Sequence, residues 1–131
     1  MKEIVLVIDD VEILVSLLKR FLSQEGYDIS TAYSYHDAMA KMDNTYFDLV
    51  LTDINLGDGK TGIDILKEVK RTNPICPVIL CTGNTDFITV SEARRMGAYD
   101  CMYKPVKLET LSHSINMALN YKTVPEKLYN L

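Results

Sequence analysis

The chain has 131 residues, enough for one folded domain with a sizeable core and too few for a second. Asp and Glu number 18 against 14 Lys and Arg, and the basic residues are scattered, which argues against direct nucleic-acid binding by this chain. Cys76, Cys81 and Cys101 are odd in number and two lie in apolar runs, so reduced buried thiols fit better than a disulfide framework, and the lack of a second ligand pair argues against zinc. The start lacks a secretory leader's apolar core and no apolar stretch approaches bilayer length, so a soluble, cytoplasmic protein without membrane contact is expected.

Strand and helix patterns alternate along the chain. Glu3 to Ile8 is a nearly continuous β-branched and aliphatic run, as a strand covered on both faces requires, and reads as a central strand. Ile13, Leu14, Leu17, Leu18, Phe21 and Leu22 then recur at helical spacing, with Lys19 and Arg20 on the other face and Gly26 ending the pattern. Asp28 to Ala32 is a short, more polar strand. Ser34 and Asp37 form a helix-start signal before Ala38, Met39 and Met42, predicting a short second helix.

Asp48 to Thr52 reads as the third strand. A loop with Gly57, Asp58, Gly59 and Gly62 leads into a helix carrying Ile63, Ile65, Leu66 and Val69, stopped by Pro74. Pro77 to Cys81 is the fourth strand, followed by a helix from about Thr85 or Asp86 to Met96, which Gly97 ends. Tyr99 to Tyr103 is the fifth strand, and a last helix from about Lys107 is expected to bury Leu108, Leu111, Ile115 and Ala118. Residues 1–121 therefore form the domain and 122–131 read as a tail or the start of a linker. Five strand-helix units cannot close a barrel, and right-handed crossovers make them a doubly wound, three-layer α/β sandwich around a parallel sheet.

In such a sheet the C-terminal strand ends gather along one edge. Asp9 with Asp10, Asp53, Thr82 and Lys104 all stand at such ends. Adjacent acids repel unless protons or a cation neutralise them, and hard oxygen ligands suit Mg²⁺; the competing reading is a solvated turn in which Asp10 caps the next helix. Asp53 precedes a glycine-rich loop, which offers its carboxylate at an open edge. A carboxylate beside bound Mg²⁺ is competent to attack a phosphoryl group and form an acyl phosphate. Thr82 and Lys104 supply a hydroxyl donor and a positive charge for its oxygens, though each alone also fits local backbone bonding or a solvated side chain.

The segments VIDDVE at 7–12, LVLTDINL at 49–56, LCTGN at 80–84 and GAYDCMYKPV at 97–106, in this order and spacing, are similar to those of receiver domains in the two-component response-regulator family, whose fold is that of the bacterial chemotaxis regulator. The resemblance covers Lys2 to about Tyr121. It implies a flavodoxin-like sheet of strand order 2-1-3-4-5 and a cis Lys104–Pro105 bond. It further implies that Asp53 is the phosphoacceptor, Asp10 a direct Mg²⁺ ligand, Asp9 a ligand through water and Asn55 a ligand through its backbone carbonyl, with Thr82 and Lys104 on the phosphoryl group. A histidine kinase or phosphotransfer protein would be the donor. An output protein or a linked effector domain would read the result at the surface of the fourth helix, fifth strand and fifth helix, which is also a possible homodimer face.

The sequence departs from the family pattern in places. Cys101 stands where receivers usually carry an aromatic residue that moves with the threonine, so coupling from Thr82 is expected to weaken or to pass through Tyr99 or Tyr103, which share its strand face; plain packing is the competing role for both tyrosines. Gly57 replaces a common proline, and one extra residue precedes Gly62. Asn55 and Asn84 occupy positions suited to setting the dephosphorylation rate. His36 and His113 have no acidic or cysteine partner nearby in sequence and read as solvated or packing residues. Two other functional classes compete, the first of them sharing the fold. A flavodoxin-like cofactor binder needs a hydroxyl- or glycine-rich phosphate loop where Asp9 and Asp10 stand, and an aspartyl-nucleophile phosphatase needs Asp-x-Asp, which Ile8-Asp9-Asp10-Val11 does not provide.

Overall fold

A computed structural model of the chain describes residues 2–83 and 87–123. The elements alternate as β1 (Ile4–Ile8), α1 (Glu12–Gln24), β2 (Asp28–Ala32), α2 (Tyr35–Asn44), β3 (Leu49–Asp53), α3 (Gly62–Thr72), β4 (Val78–Thr82), α4 (Phe87–Arg95), β5 (Asp100–Tyr103) and α5 (Leu108–Thr123). All strand pairs are parallel and the sheet order is β2-β1-β3-β4-β5, as the resemblance implied. Residues 84–86 and 124–131, which hold Asn84, the expected start of α4 and most of the tail, lie outside the described residues.

Side-chain alternation along the strands builds two cores. Leu6, Ile8, Val50, Val78, Leu80 and Cys101 pack with Ala38 of α2, Ile65, Leu66 and Val69 of α3, and Val90 and Ala93 of α4. The opposite parity, Val5, Val7, Leu49, Leu51, Ile79, Cys81 and Met102, packs with Val15 and Leu22 of α1 and Leu111, Ile115, Ala118 and Leu119 of α5. Covering both faces explains why β1, β3 and β4 are apolar runs without polar alternation. All three cysteines are buried thiols, as expected. Among the described residues no helix is long and apolar enough to cross a membrane.

The helix starts follow local chemistry. The Ser34 hydroxyl accepts a hydrogen bond from the Asp37 N–H at 3.0 Å, and the Asp37 carboxylate accepts one from the Tyr33 N–H at 3.1 Å, so the motif seen in sequence does cap α2. Thr61 and Asp64 form a full capping box on α3. Gly62 is therefore the first residue of that helix and not part of the preceding loop.

Two helix faces differ from expectation. Ile13 and Leu17 are 72 % and 57 % exposed, while Val15 is fully buried. The apolar residues of α1 span more than one stripe, and the sheet takes the one centred on Val15 and Leu22, flanked by half-buried Leu18 and Phe21. Leu108, the first residue of α5, is likewise exposed, and Leu119 joins the buried stripe instead. Val15→Ala is expected to cost about 2 kcal/mol in urea denaturation, whereas Ile13→Ser should change stability by less than about 0.5 kcal/mol; equal effects would contradict this orientation of α1.

Candidate functional site

The sheet ladder carries four strand ends to one edge. Ile8 stands level with Thr52, Asp53 with Cys81, and Thr82 with Tyr103. Backbone bonding continues past the strands: the Asp9 N–H donates to the Ala32 carbonyl, the Ile54 N–H to the Cys81 carbonyl and the Lys104 N–H to the Thr82 carbonyl, at 3.2, 2.9 and 2.8 Å. Asp9, Asp53 and Lys104 continue the parity of Val7, Leu51 and Met102, so they emerge on the same face of the sheet. Thr82 ends β4 on the other parity, two residues after Leu80, and is buried.

The Lys104 ammonium joins this face together. Its Nζ donates to Asp9 Oδ2 at 2.9 Å and to Asp53 Oδ2 at 3.0 Å. Asp9 and Asp53 are 3 % and 8 % exposed. The open edge expected for Asp53 is thus not found: the residue is buried, with the Lys104 ammonium on its carboxylate. The Asn55 N–H donates to Asp53 Oδ1 at 3.3 Å, and the Val11 N–H to Asp9 Oδ1 at 3.0 Å. Asp9, not Asp10, therefore serves the entry to α1, and Val11 at the cap position has no side-chain cap. Asp10 stays exposed, with a carboxylate oxygen within 4.8 Å of ligand atoms of both Asp9 and Asp53.

Burial pushes the Asp53 carboxyl above its ordinary value of 3.8, outweighing the downward pull of the Lys104 hydrogen bond and charge, while Asp9 adds to the rise. Burial pulls the Lys104 ammonium down, but its hydrogen bonds and charge attraction to Asp9 and Asp53 together hold it above its usual value. Cys81 lines a cavity of about 490 Å³ that reaches Asp9, Asp53 and Lys104 from between α1 and α5. Burial pushes its thiol up to about 12, so it offers no competing nucleophile.

Three carboxylates with convergent oxygens fit a hard divalent cation with oxygen ligands, and the count of charges agrees: one ammonium leaves the cluster net negative. The structure thus brings Asp9, Asp10, Asp53 and Lys104 into one cluster and sets Thr82 and exposed Asn55 at its edge. The cis Lys104–Pro105 bond is present. Cys101 is buried, and Tyr99 and Tyr103 are exposed. His36 and His113 are exposed and away from the cluster. Sequence reasoning missed Gly62: a β-carbon there would overlap the Asp53 carbonyl oxygen, so α3 rests directly on the backbone of Asp53. The signal was a glycine at the first helical position after Thr61, where other residues propagate a helix better.

A raised folded value means the folded state binds the Asp53 proton more tightly than the unfolded chain does. The stability from Asp53 is then present below its ordinary value and lost as pH rises through the raised value. In EDTA, Asp53→Asn is expected to be more stable than the natural chain near pH 7, with the gain shrinking toward about pH 3. Urea denaturation across this range checks it, and a gain independent of pH would overturn it.

Known proteins resemble this chain over most of its length. The sequence pattern described as the response regulator receiver domain matches residues 5–116. The chain is 36 % identical over 115 residues to the transcriptional regulatory protein ZraR of Salmonella typhimurium, covering 88 % of this chain and 26 % of that protein. It is 31 % identical over 116 residues to the luminescence regulatory protein LuxO of Vibrio campbellii, covering 88 % and 25 %. The chain thus spans about a quarter of the length of these curated relatives. Among solved structures, a CheY-like receiver domain from Methanospirillum hungatei JF-1 superposes with a TM-score of 0.89 at 27 % identity, covering 93 % of this chain and 97 % of that one. The beryllofluoride-activated NtrC4 receiver domain dimer gives 0.86 at 30 % identity, covering 92 % and 98 %. With the fold and these matches in agreement, the chain belongs to the response regulator receiver domain family, the phosphoacceptor module of two-component signalling.

Proposed function

We propose that Asp53 is the phosphoacceptor and that a histidine kinase or phosphotransfer protein is the donor. The observation that carries this reading is the Lys104 ammonium held between Asp9 and Asp53 at 2.9 and 3.0 Å. An Asp53 carboxylate oxygen forms the new bond to phosphorus as the bond from phosphorus to the donor imidazole nitrogen breaks. The imidazole leaves with the bonding electron pair and takes up a proton from solvent. Lys104 gives one hydrogen bond to a phosphoryl oxygen as it leaves Asp53, and the Thr82 hydroxyl donates to another. Asp10, Asp9 through water, Asp53 and the Asn55 carbonyl would hold Mg²⁺, which neutralises charge on the transferred oxygens. Acetyl phosphate serves as a small donor in the same way, with acetate as the leaving group. Return of the phosphoryl group to water is self-catalysed, with Asn55 and Asn84 as the rate-setting side chains.

The output reading follows from the sheet. Thr82 stands level with Tyr103, and Cys101 lies two residues earlier on the same parity. A shift of Thr82 toward a phosphoryl oxygen is passed to Tyr103 at the rim of the α4, β5 and α5 face, while the small Cys101 thiol stays in the core. This face binds an output protein, a linked effector domain or a second copy of the chain, in the cytoplasm and without direct nucleic-acid contact by the domain itself. With Mg²⁺ and acetyl phosphate, the intact chain should gain the mass of a single phosphoryl group, and Asp53→Asn should gain none. A phosphoryl adduct that persists in Asp53→Asn would remove the assignment.

A further inference from the structure

The loop joining β3 to α3 is fastened at several points. Leu56 is 2 % exposed and belongs to the same core as Ile54 and Ile63. An antiparallel bridge pairs Asn55 with Thr61, and the Gly62 N–H donates to the Ile54 carbonyl at 2.8 Å. Lys60 lies 5.4 Å from the centre of the Tyr35 ring at the start of α2, a cation–π contact that ties the far side of the loop to a neighbouring helix. The glycines between these anchors are consequently held in place by what surrounds them.

Gly57 and Gly59 both have positive φ, at +79° and +86°. They differ in what they face. A β-carbon on Gly57 would lie 3.0 Å from Asp10 Oδ2, whereas one on Gly59 would meet nothing within 4 Å. The same loop thus carries two glycines under the same backbone demand, and only one of them abuts a carboxylate of the acidic cluster.

We propose that Gly57 is a positioning residue for Asp10. Its bare backbone lies along one side of the exposed Asp10 carboxylate and leaves that group in range of Asp9 and Asp53; a side chain at this point pushes it away. Asp10 is exposed and turns aside at little cost to folding, but metal affinity depends on ligand oxygens placed to within tenths of an ångström. The proposal rests on the reading of Asp9, Asp10 and Asp53 as a divalent-cation site, and concerns how this loop sets the affinity of that site.

The test uses the full chain with Mn²⁺ as the probe, free Mn²⁺ being counted by electron paramagnetic resonance, alongside urea denaturation in EDTA. Gly57→Ala and Gly59→Ala should lose similar stability, since each forces an L-residue into the left-handed region. Mn²⁺ binding should weaken about tenfold in Gly57→Ala, as for other groups that orient a ligand, and stay within about twofold of the natural chain in Gly59→Ala. Gly57→Asn, which adopts positive φ more readily, places a β-carbon at the same point and should show the same loss if the alanine variant fails to fold. Two results overturn the proposal while leaving the cation site standing: Asp10→Asn binds weakly but both Gly57 variants bind normally, or Gly59→Ala weakens binding as much as Gly57→Ala. Unchanged Mn²⁺ binding in Asp10→Asn removes the cation site itself, and the proposal with it.

Discussion

The Lys104 ammonium between two buried carboxylates is the constraint on which the rest of this structure depends. Its partners lie 95 and 51 residues away in sequence. They meet because β1, β3 and β5 end at one edge and present the same side-chain parity there. Asp9 and Asp53 would otherwise be like charges removed from water in a shared space, an arrangement that is costly unless proton or cation intervenes. The parallel sheet, its even register and the two apolar cores serve to bring these three side chains to one place and keep water from screening them.

This arrangement also clarifies why Asp10 and Asp9 differ despite being neighbours. Asp9 turns inward on the parity of Val7 and spends both oxygens on protein donors, one on Lys104 and one on the Val11 N–H. Asp10, one residue further past the end of the strand, keeps its carboxylate exposed. Strand parity thus divides an acidic pair into a member that is fixed within the protein and a member open to an incoming ligand.

Much of this was legible in the sequence. Apolar runs long enough for strands but too short for helices marked the sheet, and the polar residue closing each run marked the site, because both signals are local. The cap of α2 was readable for the same reason. What escaped was non-local. Which stripe of α1 faces the sheet depends on the helix's approach angle, so Ile13 and Val15 could not be ranked from spacing alone. The burial of Asp53 depends on Lys104 arriving from the far end of the chain. The closeness of Gly62 to the Asp53 backbone depends on how α3 leaves its loop, and no pattern within the loop records that distance.

The contact between Gly62 and Asp53 has a mechanical consequence. With no side chain between them, the first turn of α3 and the last residue of β3 meet backbone to backbone, and the Ile54 carbonyl is bonded to the Gly62 N–H as well. The main chain under Asp53 is therefore a stiff point in an otherwise deformable edge. Any rearrangement that begins at this carboxylate has to travel through side chains and neighbouring strands, because the floor beneath it has nowhere to yield.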